Sequence, residues 1–171
     1  MLVIAPRLLA TVGLTAERDM SAVMLGLGDS VAALERDEID AFFWSGGVPT
    51  AGVDRIAATR PVRLLDLGEE TVRLRTRYPV YDVTTVPAGT YGLADPVSTA
   101  SVRNVLLVTA DMAPALAEPL TRAMLDRRAI LAQADPAGRS IDARSAIGTQ
   151  PVALHAGARA AFRAAKGLAG P

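Results

Sequence analysis

Cysteine is absent from the 171 residues. Disulfides, thiolate nucleophiles and cysteine-ligated metals are therefore excluded, while the compartment stays open, because many extracytoplasmic proteins also lack the residue. Histidine occurs once, as His155, which excludes a histidine-rich metal site. Net charge is absent too: 18 basic residues balance 18 acidic ones, so no global field draws the chain to nucleic acid or anionic lipid. No run approaches the ~20 apolar residues a membrane span needs. The apolar opening lacks a basic region ahead of it and is interrupted by Arg7, so the chain as given is expected to carry no export signal and no inserted helix. Half of the residues are hydrophobic and about a fifth charged, the balance of a globular protein rather than a disordered one.

Aromatics are scarce, at 4%, which makes their clustering informative. Phe42, Phe43 and the single tryptophan, Trp44, stand together in residues 39–49, followed by Ser45-Gly46-Gly47-Val48-Pro49. Ile39, Ala41 and Phe43 alternate with Asp40, Phe42 and Trp44, as in a strand whose faces meet different surroundings. The paired glycines allow a sharp turn or a close approach, and Pro49 suits a helix start. Strand, glycine turn and helix start form a ligand-presenting unit, because free N–H groups at such a turn suit an anion. The plainer alternative makes the aromatics core and the glycines a turn.

Around this stretch the pattern predicts a helix over 2–12 stopped by Gly13, and a short buried strand over 20–25. A glycine turn at 26–28 leads to a helix over 31–38 capped by Asp29 or Ser30. A weaker helix is expected over 48–59, a strand over 62–67, and a helix with Glu69 and Glu70 first and Arg73, Arg75 and Arg77 last. Those arginines alternate beside acids without aromatics between them, which reads as a solvated face rather than a nucleic-acid patch. Residues 80–86 alternate like a half-exposed strand and turn at Pro87-Ala88-Gly89. Residues 97–109 should be extended, with 105–108 a strand covered on both faces. Leu116, Ala117, Leu120, Ala123, Met124, Arg127 and Leu131 follow the helical period, with Pro119 imposing a kink or a later start. A surface loop over 135–150 and an alanine-rich helix over 157–166 complete the chain. The order of elements indicates an α/β fold with a mostly parallel sheet and flanking helices.

Chemistry is sparsely provided. Gly28-Asp29-Ser30 after an apolar strand looks like the nucleophile block of GDS-type serine esterases. A carboxylate three residues before the histidine should orient the imidazole, but Val152 occupies that position before His155, and no second oxyanion donor block is present. No phosphate-binding loop, dinucleotide motif or acidic metal cluster occurs, so no cofactor and no metal are expected. The leading expectation is binding without catalysis; the alternatives are an esterase using Ser30 and a ligand-sensing regulatory domain of similar fold.

The ordered set Leu25-Gly26-Leu27-Gly28-Asp29-Ser30, residues 39–50, residues 62–67, Tyr78-Pro79-Val80-Tyr81, residues 86–92 and Leu154-His155-Ala156-Gly157-Ala158 resembles the TAXI subfamily of solute receptors, extracytoplasmic binding proteins that feed TRAP transporters. The resemblance implies a periplasmic-binding-protein type II-like fold whose two lobes close on a small anionic solute, an amino acid such as glutamate or a dicarboxylate. It places Phe43, Trp44, Ser45, Gly46, Gly47 and Pro49 nearest the cleft, Gly26, Gly28 and Ser30 at the neighbouring strand end, and Tyr91 near the crossing between lobes. It further implies the membrane permease of a TRAP transporter as partner, a periplasmic or cell-surface location for the intact receptor, no nucleic acid and no direct membrane insertion.

The chain departs from that family pattern. A first lobe and a Gly-Ser-Gly-Thr type turn are not found, the family's His-Pro-Gly-Ala reads His155-Ala156-Gly157-Ala158, and the last helix carries Ala160, Ala161 and Phe162 in place of tyrosines. The expectation is an incomplete two-lobe architecture: residues 1–95 as the second lobe, and 96–171 as a return segment with C-terminal helices packing toward the first lobe. Such a chain should bind solute weakly or not at all alone and self-associate through the exposed lobe face. Arg60 and Arg63 are the basic residues nearest the site in sequence.

Overall fold

Helices form where apolar residues recur at helical spacing and a breaker follows. The computed structural model describes residues 3–167, which divide into two compact units, Met1–Val102 and Arg103–Pro171. In the first, α1 (Ile4–Thr11) keeps Pro6 in its opening turn, where the missing N–H costs little. It ends at Gly13, whose φ of +77° suits a residue without Cβ. Residues 1 and 2, with which the expected helix begins, lie outside the described residues. After the single turn α2 (Ala16–Asp19) come α3 (Leu27–Glu35), α4 (Ala51–Thr59) and α5 (Gly68–Arg77). The strands β1 (Tyr81–Val86) and β2 (Val97–Val102) pair antiparallel, with Tyr81 opposite Val102 and Val86 opposite Val97.

Two apolar clusters hold this unit together. Leu8, Leu74 and Tyr81 join α1, α5 and β1, and the Arg7 guanidinium lies 3.9 Å from the Tyr78 ring centre while donating to the Tyr81 hydroxyl at 3.0 Å. Val53, Val86 and Tyr91 form the second cluster, with Leu27, Phe42, Ala57, Leu64 and Leu93 packed against it. The α5 arginines are solvated as expected: Arg73 pairs with Glu69 at 3.0 Å and Arg75 with Asp82 at 2.9 Å, both at exposed positions.

In the second unit α6 (Pro114–Asp126), α7 (Arg128–Ala134) and α8 (Ala156–Gly167) are joined by a 3-10 turn, Pro136–Ser140, and irregular chain. Pro119 does not delay the start of α6; the helix begins at Pro114 and runs through it. The break comes instead at Arg127, with φ −97° and ψ 14°. A Cβ on Gly157 would lie 2.7 Å from the Pro114 carbonyl oxygen and 2.8 Å from the Glu118 nitrogen, so α8 approaches the first turns of α6 as closely as a glycine permits. Ala117, Ala161 and Phe162 are buried. The lone histidine precedes α8: its Nδ1 accepts from the Gly157 N–H at 3.1 Å, and its Nε2 lies 3.0 Å from the Met112 carbonyl oxygen.

The expected parallel sheet is not formed among the described residues, whose only sheet is the antiparallel β1–β2 pair. Residues 20–25, 39–44 and 62–67 form neither helix nor strand. A single backbone bond, Leu67 N–H to Ser98 O at 2.9 Å, brings the last of them to β2. The expectation of a buried strand over 20–25 is corrected: Val23, Met24 and Leu25 are exposed, Met24 by 76%. Burial on both faces requires neighbouring strands as well as covering helices, and among the described residues no strand pairs with these segments. In the second unit Val105, Leu106 and Leu107 are likewise exposed rather than covered.

Candidate functional site

The start of α3 differs from expectation. Its cap is Gly26 rather than Asp29 or Ser30, so Gly28 and Asp29 lie inside the first turn and no side chain caps the end. At α4 Thr50 holds the cap position, yet its hydroxyl turns back into the preceding loop and donates to the Gly47 carbonyl oxygen at 2.5 Å. Among the described residues no side chain accepts from the first-turn N–H groups of α3 (27–29) or α4 (51–53), which carry the positive end of each helix dipole; the N–H of Thr50 itself is taken by the Tyr91 hydroxyl. The two starts touch. A Cβ on Gly52 would lie 3.0 Å from a methyl of Leu27, the first residue of α3. Glycine at 52 is what lets the two N-terminal ends stand side by side.

The aromatic stretch lies beside them. Phe42 turns inward onto the Val53, Val86 and Tyr91 cluster. Phe43 and Trp44 face outward, Trp44 exposed by 43%. The indole folds over Gly46, where a Cβ would lie 2.6 Å from Nε1, and Nε1 donates to the Thr50 hydroxyl at 3.2 Å. Tyr91 is buried, and its hydroxyl accepts the Thr50 N–H at 2.6 Å. It sits at φ +54°, in the left-handed region between Gly89 and Gly92. Thr50 therefore ties Trp44, Gly47 and Tyr91 together, a role the sequence reading missed. A threonine after a proline and before a helical pattern marks the cap position, which Thr50 holds, but not the loop contacts that its side chain makes instead of capping.

Of the sequence-predicted site residues, Phe43, Trp44, Ser45, Gly46, Gly47, Pro49, Gly26 and Gly28 are exposed in the first unit. Gly28 has open space where a Cβ would stand. Ser30 is buried, at 7% exposure, within α3. Arg60 is not available to a ligand: its guanidinium donates to the Leu34 and Glu35 carbonyl oxygens at 3.0 and 2.8 Å and pairs with Asp37 at 2.7 Å. The Asp37 carboxylate raises its pKa further above the ordinary arginine range. Asp29 is the acid of the α3 first turn. Ser30 is buried within α3 of the first unit, a poor setting for a nucleophile, and His155 belongs to the second unit, where both of its ring nitrogens have hydrogen-bond partners.

A family model described as NMT1-like matches residues 3–165. The chain belongs to the NMT1-like family. NMT1-like proteins are a periplasmic-binding-protein-like family of solute-binding type, typically extracytoplasmic and not typically enzymes. A small-molecule ligand is the partner such a family implies. Among the described residues no helix is long and apolar enough to cross a membrane.

Proposed function

We propose that this NMT1-like protein is a solute receptor of the TAXI type that delivers a small anionic solute to the permease of a TRAP transporter. The observation that carries the reading is the contact between two uncapped helix starts, α3 and α4, beside exposed aromatic rings. A carboxylate placed there accepts N–H groups from both helices and gains from both dipoles, each worth about 0.3–1 kcal/mol at an exposed site. Gly26 and Gly28 let the ligand approach the α3 backbone, while Phe43 and Trp44 cover an apolar portion. Ser45, Gly46, Gly47 and Pro49 shape the loop, and Tyr91 holds it through Thr50.

Asp29 bears on the choice of solute. A carboxylate in the first turn of α3 repels a second negative charge and attracts an ammonium. An amino acid such as glutamate offers both groups; a simple dicarboxylate offers only the repelled one. In this reading residues 1–95 form one lobe and 96–171 the return segment. An opposing lobe closes over the aromatics, excludes water and strengthens each hydrogen bond to the solute.

Calorimetry against glutamate, glutamine and succinate tests the reading. Weak binding, tighter for the amino acids than for succinate, is expected from the 171-residue chain, and Asp29→Asn should erase that preference. Gly28→Ala should leave the fold intact, since nothing lies within 4 Å of the added Cβ, and should weaken binding. No response to any amino acid or dicarboxylate from a version of the chain supplied with an opposing lobe, or binding indifferent to both substitutions, overturns the reading.

A further inference from the structure

Gly46 does not owe its place to backbone shape. Among the described glycines only Gly13, Gly89 and Gly92 have positive φ, so residue 46 stands outside the left-handed region that calls for glycine. What excludes a side chain there is the neighbouring ring. A Cβ on Gly46 would lie 2.6 Å from Trp44 Nε1, 3.2 Å from Trp44 Cε2 and 3.4 Å from Thr50 Oγ1. Glycine at this position is the seat of an indole, and Thr50 closes the seat from the other side.

An indole has a single donor, its Nε1–H, and here Thr50 Oγ1 accepts it at 3.2 Å. The same hydroxyl donates its own proton to the Gly47 carbonyl oxygen, which leaves its oxygen to act as acceptor for the ring. Thr50 is fixed in turn, because its N–H goes to the Tyr91 hydroxyl at 2.6 Å and the Tyr91 ring is buried with Val53 and Val86. Contacts thus run from the core of the first unit, through Thr50, to a ring that stands half in solvent. An exposed side chain without such ties changes rotamer within picoseconds to nanoseconds.

Building on the solute-receptor reading, we propose that Gly46 and Thr50 are positioning residues that lock Trp44, with its only donor already occupied, into a preset ring wall for the solute. A wall held beforehand loses no rotamer freedom when the solute arrives, an advantage of about two- to tenfold in affinity for one large side chain. A ring whose N–H is occupied also offers the solute surface rather than a hydrogen bond. Trp44 therefore meets the hydrocarbon part of the solute, and the carboxylate is left to backbone donors. The solute class that fits is an acid with an aliphatic chain long enough to lie against the ring.

Trp44 is the only tryptophan, so its emission reads the lock directly. Time-resolved fluorescence anisotropy of the solute-free 171-residue chain should show the ring turning with the protein, with little sub-nanosecond decay. Thr50→Val removes the acceptor and Gly46→Ala fills the seat; each should add a fast component. Thr50→Ser keeps the hydroxyl and should not. A wild-type ring that already moves freely, or one that stays slow in both variants, overturns the proposal. Calorimetry with glutamate gives the second readout. Thr50→Val and Gly46→Ala should each weaken binding about two- to tenfold, Trp44→Ala at least as much, and Thr50→Ser should bind like wild type. Tighter binding by Thr50→Val overturns the proposal, since the freed Nε1–H then serves the solute, and so does binding that none of the substitutions changes. A ring that is slow in wild type and fast in both variants, in a chain that binds no amino acid or dicarboxylate, supports the lock and counts against the receptor reading alone.

Discussion

Tyr91 has two constraints at once: a buried ring in the second apolar cluster and a hydroxyl that accepts the Thr50 N–H. Tyr91→Phe keeps the ring and strips the acceptor, so the Thr50 donor is left without its partner, at a cost of about 1–3 kcal/mol in urea unfolding. Thr71 is the opposite case. It is fully buried in α5, and its Oγ1 has no hydrogen-bond partner among the described residues. Thr71→Val replaces that hydroxyl with a methyl of similar shape and should leave stability unchanged or raise it by about 1 kcal/mol in the same assay. The sequence made the aromatic run legible as a feature but not its directions. Strict alternation groups Phe42 with Trp44; the structure turns Phe42 inward and both Phe43 and Trp44 outward. Alternation sorts faces only while a strand is held in a sheet, and residues 39–44 are not.

At the scale of elements, most helices were readable from local pattern: α1, α4, α5 and α8 stand within a few residues of their expected bounds, whereas the period expected to run through Arg127 to Leu131 is broken at Arg127 into α6 and α7. The start of α3 was not, because two glycines in a row of three look like a turn when the helix already includes the second. Long-range contact explains what propensity could not. Gly157 reads locally as a poor helix residue, yet it sits where α8 meets α6 with no room for a Cβ. Gly157→Ala should therefore destabilise by about 1–3 kcal/mol despite alanine's better helix propensity, measured as a lower midpoint in denaturant. Pro119 shows the reverse: its penalty is local, and α6 continues through it regardless.

For the whole molecule, the order of elements suggested a parallel sheet, but residues 20–25, 39–44, 62–67 and 105–108 form no strand. Strand pairing is long-range, and order along a chain does not reveal which backbone groups meet. Charge acts on the whole chain too. The Arg18 guanidinium and the Thr15 N–H hold the Asp19 carboxyl below the ordinary range; Arg36 does the same for Glu38, and the Ser145 and Arg144 N–H groups for Asp142. A depressed carboxyl contributes stability that is present above its unfolded value and is lost as pH falls through the folded one. Melting temperature should therefore decline between about pH 5 and pH 2, and Asp142→Asn should flatten part of that decline. The single indole gives the molecule its own optical probe. Trp44 is its only tryptophan and stands half in water beside the α3 and α4 starts, so its fluorescence reports on that one spot without any label. Emission shifting to shorter wavelength as solute is titrated in would make the protein a biosensor as it stands.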